Sequence, residues 1–214
     1  MGRKDQGRED SVISVAVVSE PDEFDTQCRS PGRKWQRANP VSKRPKPLWL
    51  RFTADLADGF HNLCGYCALL DPTGGTVDHY LSIKARPELA YEWANFRFAN
   101  QAMNASKKNA DDQVLDPYEV GDGWFEVILP SLQLQLTSRV PHALRAKAEF
   151  TLERLGLRDG ERVIRARRQW YALYQAGELT LDGLRLCAPL IADAVSRTLV
   201  TIPLRKTRRA ASAR

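Results

Sequence analysis

Cys64-Gly65-Tyr66-Cys67, then Val77-Asp78-His79-Tyr80, then Trp93-Ala94-Asn95 running on to Met103-Asn104-Ala105-Ser106-Lys107-Lys108: the stretch from 64 to 108 holds most of the chemistry legible in this chain. It places His79, one of three histidines, directly after Asp78. Asn95 follows sixteen residues later and Asn104 nine after that, with Lys107 and Lys108 just beyond. A histidine near its ordinary pKa is a natural general base at neutral pH. Carboxylate and amide oxygens suit a hard divalent ion, and lysines suit a phosphate. An Asp-His pair, a middle Asn and a final Asn beside lysines is therefore the order that a one-metal phosphodiesterase needs.

In these motifs the segment resembles the HNH (His-Me finger) endonucleases, over residues 60–110, about a quarter of the chain. The resemblance implies an α+β protein built on a ββα-metal core. It implies that His79 is the general base, that Asn95 holds the histidine-bearing loop by its side-chain amide, and that Asp78 and Asn104 ligate one Mg²⁺ or Mn²⁺. Lys107, Lys108, Arg97 and Lys84 become the candidates for nucleic-acid contact. DNA is the substrate so implied, with low intrinsic sequence specificity, since nothing in the chain resembles a separate recognition module. Compact proteins of this layout also resemble effectors of bacterial antiphage defence, where an ATPase or another defence protein restrains the nuclease. The chain departs from the family pattern at one place. Many members carry a second C-x-x-C before the final Asn, and here those positions are Asn100 and Met103. Cys64 and Cys67 are left as half of a zinc site, so no structural Zn²⁺ is expected and the two thiols read as core. That loss keeps a second reading open, a catalytically degenerate nucleic-acid-binding subunit. An RNA-cleaving enzyme with the same chemistry is a third.

At 214 residues the chain is long enough to bury its own core. It has no run of eighteen apolar residues, which excludes a membrane span, and M-G-R-K-D-Q-G-R-E-D at its start lacks the apolar core of a signal peptide, so the cytoplasm is the expected compartment. Four cysteines do not make a secreted disulfide scaffold. The net charge of +6 is unevenly spread. Between Thr26 and Ala54 there are eight Lys and Arg residues, Arg29 to Arg51, and no Asp or Glu. The stretch from Ala194 to Arg214 is likewise acid-free and carries Arg197, Arg205, Lys206, Arg208, Arg209 and Arg214. Such clusters would draw in a polyanion.

Four regions follow from the pattern along the chain. Residues 1–47 read as a flexible tail and an extended basic arm, with a short strand at Val12–Val18 and five prolines in 19–47 that argue against helix. Residues 48–136 read as the nuclease core with adjoining strands. It opens on helical spacing at Leu48, Phe52, Leu56 and Phe60, has an extended Thr76–Leu81 and a helix entered over Asn95–Lys108, and closes on strands at Trp124–Leu129 and Leu132–Leu136. Residues 137–196 read as helical, with Gly156 and Gly177 as stops, Thr180 as a cap and Pro189 as a kink or end. Residues 197–214 read as a basic tail. Of the remaining histidines, His61 and His142 read as packing or surface residues.

Overall fold

The computed structural model describes residues 15–42 and 44–201. The chain is a mixed α+β protein with two small antiparallel sheets. In chain order it forms α1 (Ser30–Ala38), α2 (Thr53–Gly59), β1 (Thr76–His79), β2 (Phe96–Ala99) and α3 (Gln101–Lys107). Then come β3 (Phe125–Ile128), β4 (Gln133–Leu136), α4 (His142–Arg154), α5 (Glu161–Gln175), α6 (Leu181–Cys187) and α7 (Pro189–Thr201). No helix among the described residues is long and apolar enough to cross a membrane.

The sheet of β1 and β2 separates two apolar clusters. On one side Val77, Phe96 and Phe98 join Phe24, Phe52, Leu56, Phe60, Tyr91 and Trp93. Phe24 is the hub of the aromatic part, with the rings of Phe52, Trp93 and Phe96 all edge-on to it at 5.1–5.8 Å. On the other side Ala99 and Met103 join a larger cluster made by β3, β4 and the C-terminal helices, with Leu134, Leu152, Val163, Leu184 and Ile191 inside. Leu132 and Leu134 are buried while Gln133 is exposed, the alternation a half-buried strand requires. Gly156 and Gly177 end α4 and α5 in the left-handed region, where glycine has no Cβ to strain. Pro189 begins a helix rather than kinking one, because α6 has already ended at Cys187 and proline is tolerated in a first turn.

The N-terminal third departs from the sequence reading. Residues 15–18 form no strand, and 12–14 lie outside the described residues. Val18 instead packs on Gly59 and its carbonyl accepts from the Trp93 indole N–H at 2.9 Å. The arm expected to be extended contains a π-helical turn, Asp25–Arg29, running straight into α1. Pro31 sits in the first turn of α1, where its missing N–H leaves no hydrogen bond unmade, and the other prolines flank the helix. Gly32 lets α1 touch the core, since a Cβ there would stand 2.4 Å from the Tyr91 ring. The Leu48 spacing begins as a 3₁₀ turn, Leu48–Phe52, before α2. Phe96–Ala99, expected to lie in a helix, is strand β2, as the alternation of Phe96 and Phe98 with Arg97 and Ala99 explains. Most of the basic tail, 202–214, lies outside the described residues.

Candidate active site on the β1–β2 sheet

β-branched Thr76 and Val77 suit a strand, and Gly74 and Gly75 turn the chain into it with positive φ. Alternation then sends Val77 and His79 to the aromatic side of the sheet and Thr76 and Asp78 to the other. The register pairs Asp78 with Arg97 and His79 with Phe96, so β2 divides its side chains the same way. Asp78 and His79, adjacent in sequence, therefore enter two different environments.

His79 is partly buried between two rings. Trp49 meets it edge-on at 4.7 Å and Phe96 at 4.9 Å. Its Nε2 lies 2.9 Å from the carbonyl oxygen of Ala90. Burial pulls the imidazole below its ordinary pKa, against the Ala90 carbonyl and the Asp78 charge, which pull it up. The neutral ring so favoured must donate Nε2–H to Ala90, which leaves Nδ1 carrying the lone pair. This is a ring held at one tautomer, with one nitrogen ready to take a proton.

The loop after His79 is closed by Asn95. Its Oδ1 accepts from Leu81 N–H at 2.8 Å, and its Nδ2 donates to the carbonyls of Leu81 at 2.9 Å and Leu89 at 3.4 Å. The Asn95 carbonyl also accepts from Tyr80 N–H at 2.8 Å. Leu81 and Leu89 are thus fixed to one buried amide, and the Ala90 carbonyl that orients His79 directly follows the second of them.

On the opposite face lie two buried ion pairs. Asp78 is 2% exposed, and both of its oxygens are engaged: Oδ2 by the Tyr66 hydroxyl at 2.6 Å and Oδ1 by the Lys107 ammonium at 3.2 Å. Lys107 is fully buried and also donates to the carbonyls of His79 and Tyr80, each at 2.9 Å. Burial and the Asp78 charge push the Tyr66 phenol well above its ordinary pKa, so its proton stays on the hydroxyl. Beside this pair, Arg97 grips Asp116 with two bonds, at 2.6 and 2.5 Å, and lies over the Tyr118 ring at 3.9 Å.

Asn104 comes from α3, which Asn100 caps by accepting from Met103 N–H at 2.8 Å. Its Nδ2 makes two long contacts, with Thr76 Oγ1 at 3.5 Å and the Val77 carbonyl at 3.4 Å, and its Oδ1 accepts nothing among the described residues. Asp78 and Asn104 therefore offer oxygen donors on the α3 side of β1, the donor type a hard divalent ion takes. The set fits such an ion in chemistry, with a resident ammonium already on the carboxylate. Among the described residues no group of three or more His, Cys, Asp or Glu stands together as a metal cluster.

Cys64 and Cys67 are buried at a tight turn in which Ala68 N–H donates to the Cys64 carbonyl at 2.9 Å. Asn100 stands beside them, donating to Cys67 Sγ at 3.5 Å, and Met103 is buried in the same large apolar cluster. The neighbouring Cys64 and then burial raise the Cys67 thiol well above its ordinary value.

The nucleic-acid candidates separate by burial. Lys84 and Lys108 are exposed, whereas Lys107 and Arg97 are buried and spend their donors on internal partners. The basic arm is partly neutralised: Arg29 pairs with Glu20, Asp25 and Glu92, and Arg33 with Glu92 at 2.7 Å. Lys34, Arg37, Arg44 and Lys46 are exposed and make no ion pair among the described residues. On α5, Arg167 turns inward to the carbonyls of Leu132 and Leu157, and burial lowers its guanidinium to about 10. Arg162, Arg165 and Arg168 stay exposed. His61 and His142 are exposed as well.

Three groups escaped the sequence reading: Trp49 over His79, the Tyr66 hydroxyl on Asp78, and Lys107 as a buried counter-ion. The last left a trace, since Asn104 and Lys107 are three apart and share a helix face. In comparisons with known proteins, no family model matches the chain, and no curated protein matches it.

Proposed function

We propose that the chain is a metal-dependent endonuclease of the HNH type that hydrolyses DNA phosphodiester bonds. The observation that carries this reading is the order β1–β2–α3 with a tautomer-fixed histidine at the end of β1, its loop held by Asn95, and Asn104 on the helix facing Asp78. In that scheme Nδ1 of His79 takes the proton of a water as its oxygen forms a bond to phosphorus, and the P–O bond to the departing sugar oxygen breaks. Asp78 and Asn104 would hold Mg²⁺ or Mn²⁺, whose charge would stabilise the phosphoryl oxygens and the leaving oxygen. Lys84 and Lys108, with the exposed cations of the N-terminal arm and α5, supply sequence-independent attraction to the backbone. A role as an antiphage effector under an ATPase or another defence partner, acting in the cytoplasm, rests on the sequence resemblance alone.

A second reading has its own support. The Asp78 carboxylate is already neutralised by a buried lysine, as expected of a nucleic-acid-binding subunit that has given up catalysis. An RNA-cleaving enzyme would use the same groups. Supercoiled plasmid incubated with Mg²⁺, Mn²⁺ or EDTA, with His79→Ala alongside, separates these readings. Metal-dependent nicking lost in the variant is the expected result. Binding without nicking in any metal would favour the degenerate subunit, and metal-dependent cutting of RNA but not plasmid would favour the ribonuclease.

A further inference from the structure

Lys107 holds a position that the nuclease reading does not use. Its ammonium has three N–H donors, and Asp78 Oδ1, the His79 carbonyl and the Tyr80 carbonyl take all three. The Tyr80 ring lies 5.7 Å away and screens it further. No donor is left for a phosphate while this arrangement holds. Asp78 in turn has one oxygen on Lys107 and the other on Tyr66, and almost no contact with solvent. A divalent ion bound to Asp78 would sit a few ångströms from the ammonium, with water largely excluded, and two cations repel strongly there.

The lysine sits where its helix ends. Lys107 is the last residue of α3, and Lys108 after it turns left-handed with φ of 50°. Lys107 has no contact with solvent, so its ammonium leaves Asp78 only if the chain that follows α3 moves with it. Asn104, one turn earlier on the same face, is held only by two long contacts.

We propose that Lys107 is the chain's own counter-cation for Asp78, and that a divalent ion occupies Asp78 only by displacing the Lys107 ammonium. This rests on the reading of Asp78 and Asn104 as metal ligands. Lysine and metal are alternative partners of one carboxylate, so the pair sets the metal affinity of the free protein. The displaced ammonium becomes available to an anion, which couples metal binding to the arrival of a phosphate backbone.

The test is a Mn²⁺ titration of the full chain, with free Mn²⁺ read by electron paramagnetic resonance. Wild type is compared with Lys107→Gln, Lys107→Met and the double variant Lys107→Gln/Asp78→Asn, each checked for fold by circular dichroism. Lys107→Gln keeps amide donors for the carbonyls and removes the charge, so a misfolded methionine variant does not decide the outcome. At least tenfold tighter Mn²⁺ binding by Lys107→Gln, lost in the double variant, is expected. Equal or weaker binding by Lys107→Gln overturns the exchange, as does a gain that survives in the double variant. A wild-type chain that nicks plasmid while Lys107→Gln shows no gain overturns the exchange and leaves the nuclease reading standing. A gain in Mn²⁺ affinity in a chain that never cuts overturns the nuclease reading alone.

Discussion

The two faces of the β1–β2 sheet handle polarity in opposite ways. On the aromatic face His79 is surrounded by Trp49 and Phe96 and kept neutral by burial, with a single backbone carbonyl to orient it. On the other face charge is buried in pairs, Asp78 with Lys107 and Arg97 with Asp116. A neutral imidazole loses little on leaving water, so packing and one hydrogen bond suffice. A carboxylate loses far more, so each one brings a cation and further donors with it. The difference assigns the faces different work. The aromatic face holds a base whose proton can move, and the ionic face holds charges that must stay balanced whatever binds.

Breaking the ionic face should have the largest effect. Asp116→Ala leaves the Arg97 guanidinium buried with the Ala94 and Phe96 carbonyls and the rings of Tyr80 and Tyr118, and with no carboxylate. Removing one partner of a buried pair costs about 3–5 kcal/mol. Urea denaturation should show that loss, measured against Glu178→Ala at an exposed position as a control. A change in midpoint no larger than that of the control would mean that the pair contributes nothing net, and that the two faces do not differ as described.

How much of this was legible beforehand follows from the range of each interaction. The strands at Phe125–Ile128 and Gln133–Leu136, the stops at Gly156 and Gly177, and the cap at Thr180 depend on neighbours within a few residues, and the sequence pattern locates them. The Phe96–Ala99 strand is hidden in the sequence, because four residues of alternation that run into α3 look like the start of one helix. Five prolines in 19–47 argue against α1 only if their positions are ignored, since Pro31 falls in a first turn, where a helix accepts it. At the site, the residue types at 78, 79, 95, 104 and 107 suggested a chemistry, but their partners come from far along the chain. Trp49 reaches His79 from thirty residues upstream, and Asp116 reaches Arg97 from nineteen downstream. No local pattern encodes such pairings. Nor does it say that Arg97 and Lys107 point inward while Lys84 and Lys108 point out.

A smaller change sharpens the account of how Asp78 is satisfied. Tyr66→Phe keeps the ring in its cluster and removes only the hydroxyl that donates to Oδ2 at 2.6 Å. A hydrogen bond to a buried charged group is worth about 2 kcal/mol. A loss of that size in urea is expected, below that of Asp116→Ala because Lys107 still balances the carboxylate. An unchanged midpoint would mean that water replaces the hydroxyl, and that this face is wetter than its burial implies.

The smallest expected effect tests the aromatic face through pH. The folded chain holds His79 below the unfolded imidazole value of about 6.5, through burial. Above that pH the ring is neutral in both states, and its contribution to stability is fully present. As pH falls, the unfolded chain takes up a proton that the folded chain resists, so stability drops until the folded value is passed, where the drop stops. His79→Phe keeps a ring between Trp49 and Phe96 and removes the titration. The urea midpoint of wild type should therefore fall relative to that of His79→Phe as pH is lowered from 7 through the region below about 6.5, with the two curves parallel above it. In the proposed mechanism the same proton would sit on the nitrogen that accepts one from water, so plasmid cutting by such a nuclease should decline over the acid limb in which His79 becomes charged. Parallel midpoints throughout would show that the imidazole meets water as freely folded as unfolded, and the contrast between the two faces would then be one of shape rather than of charge.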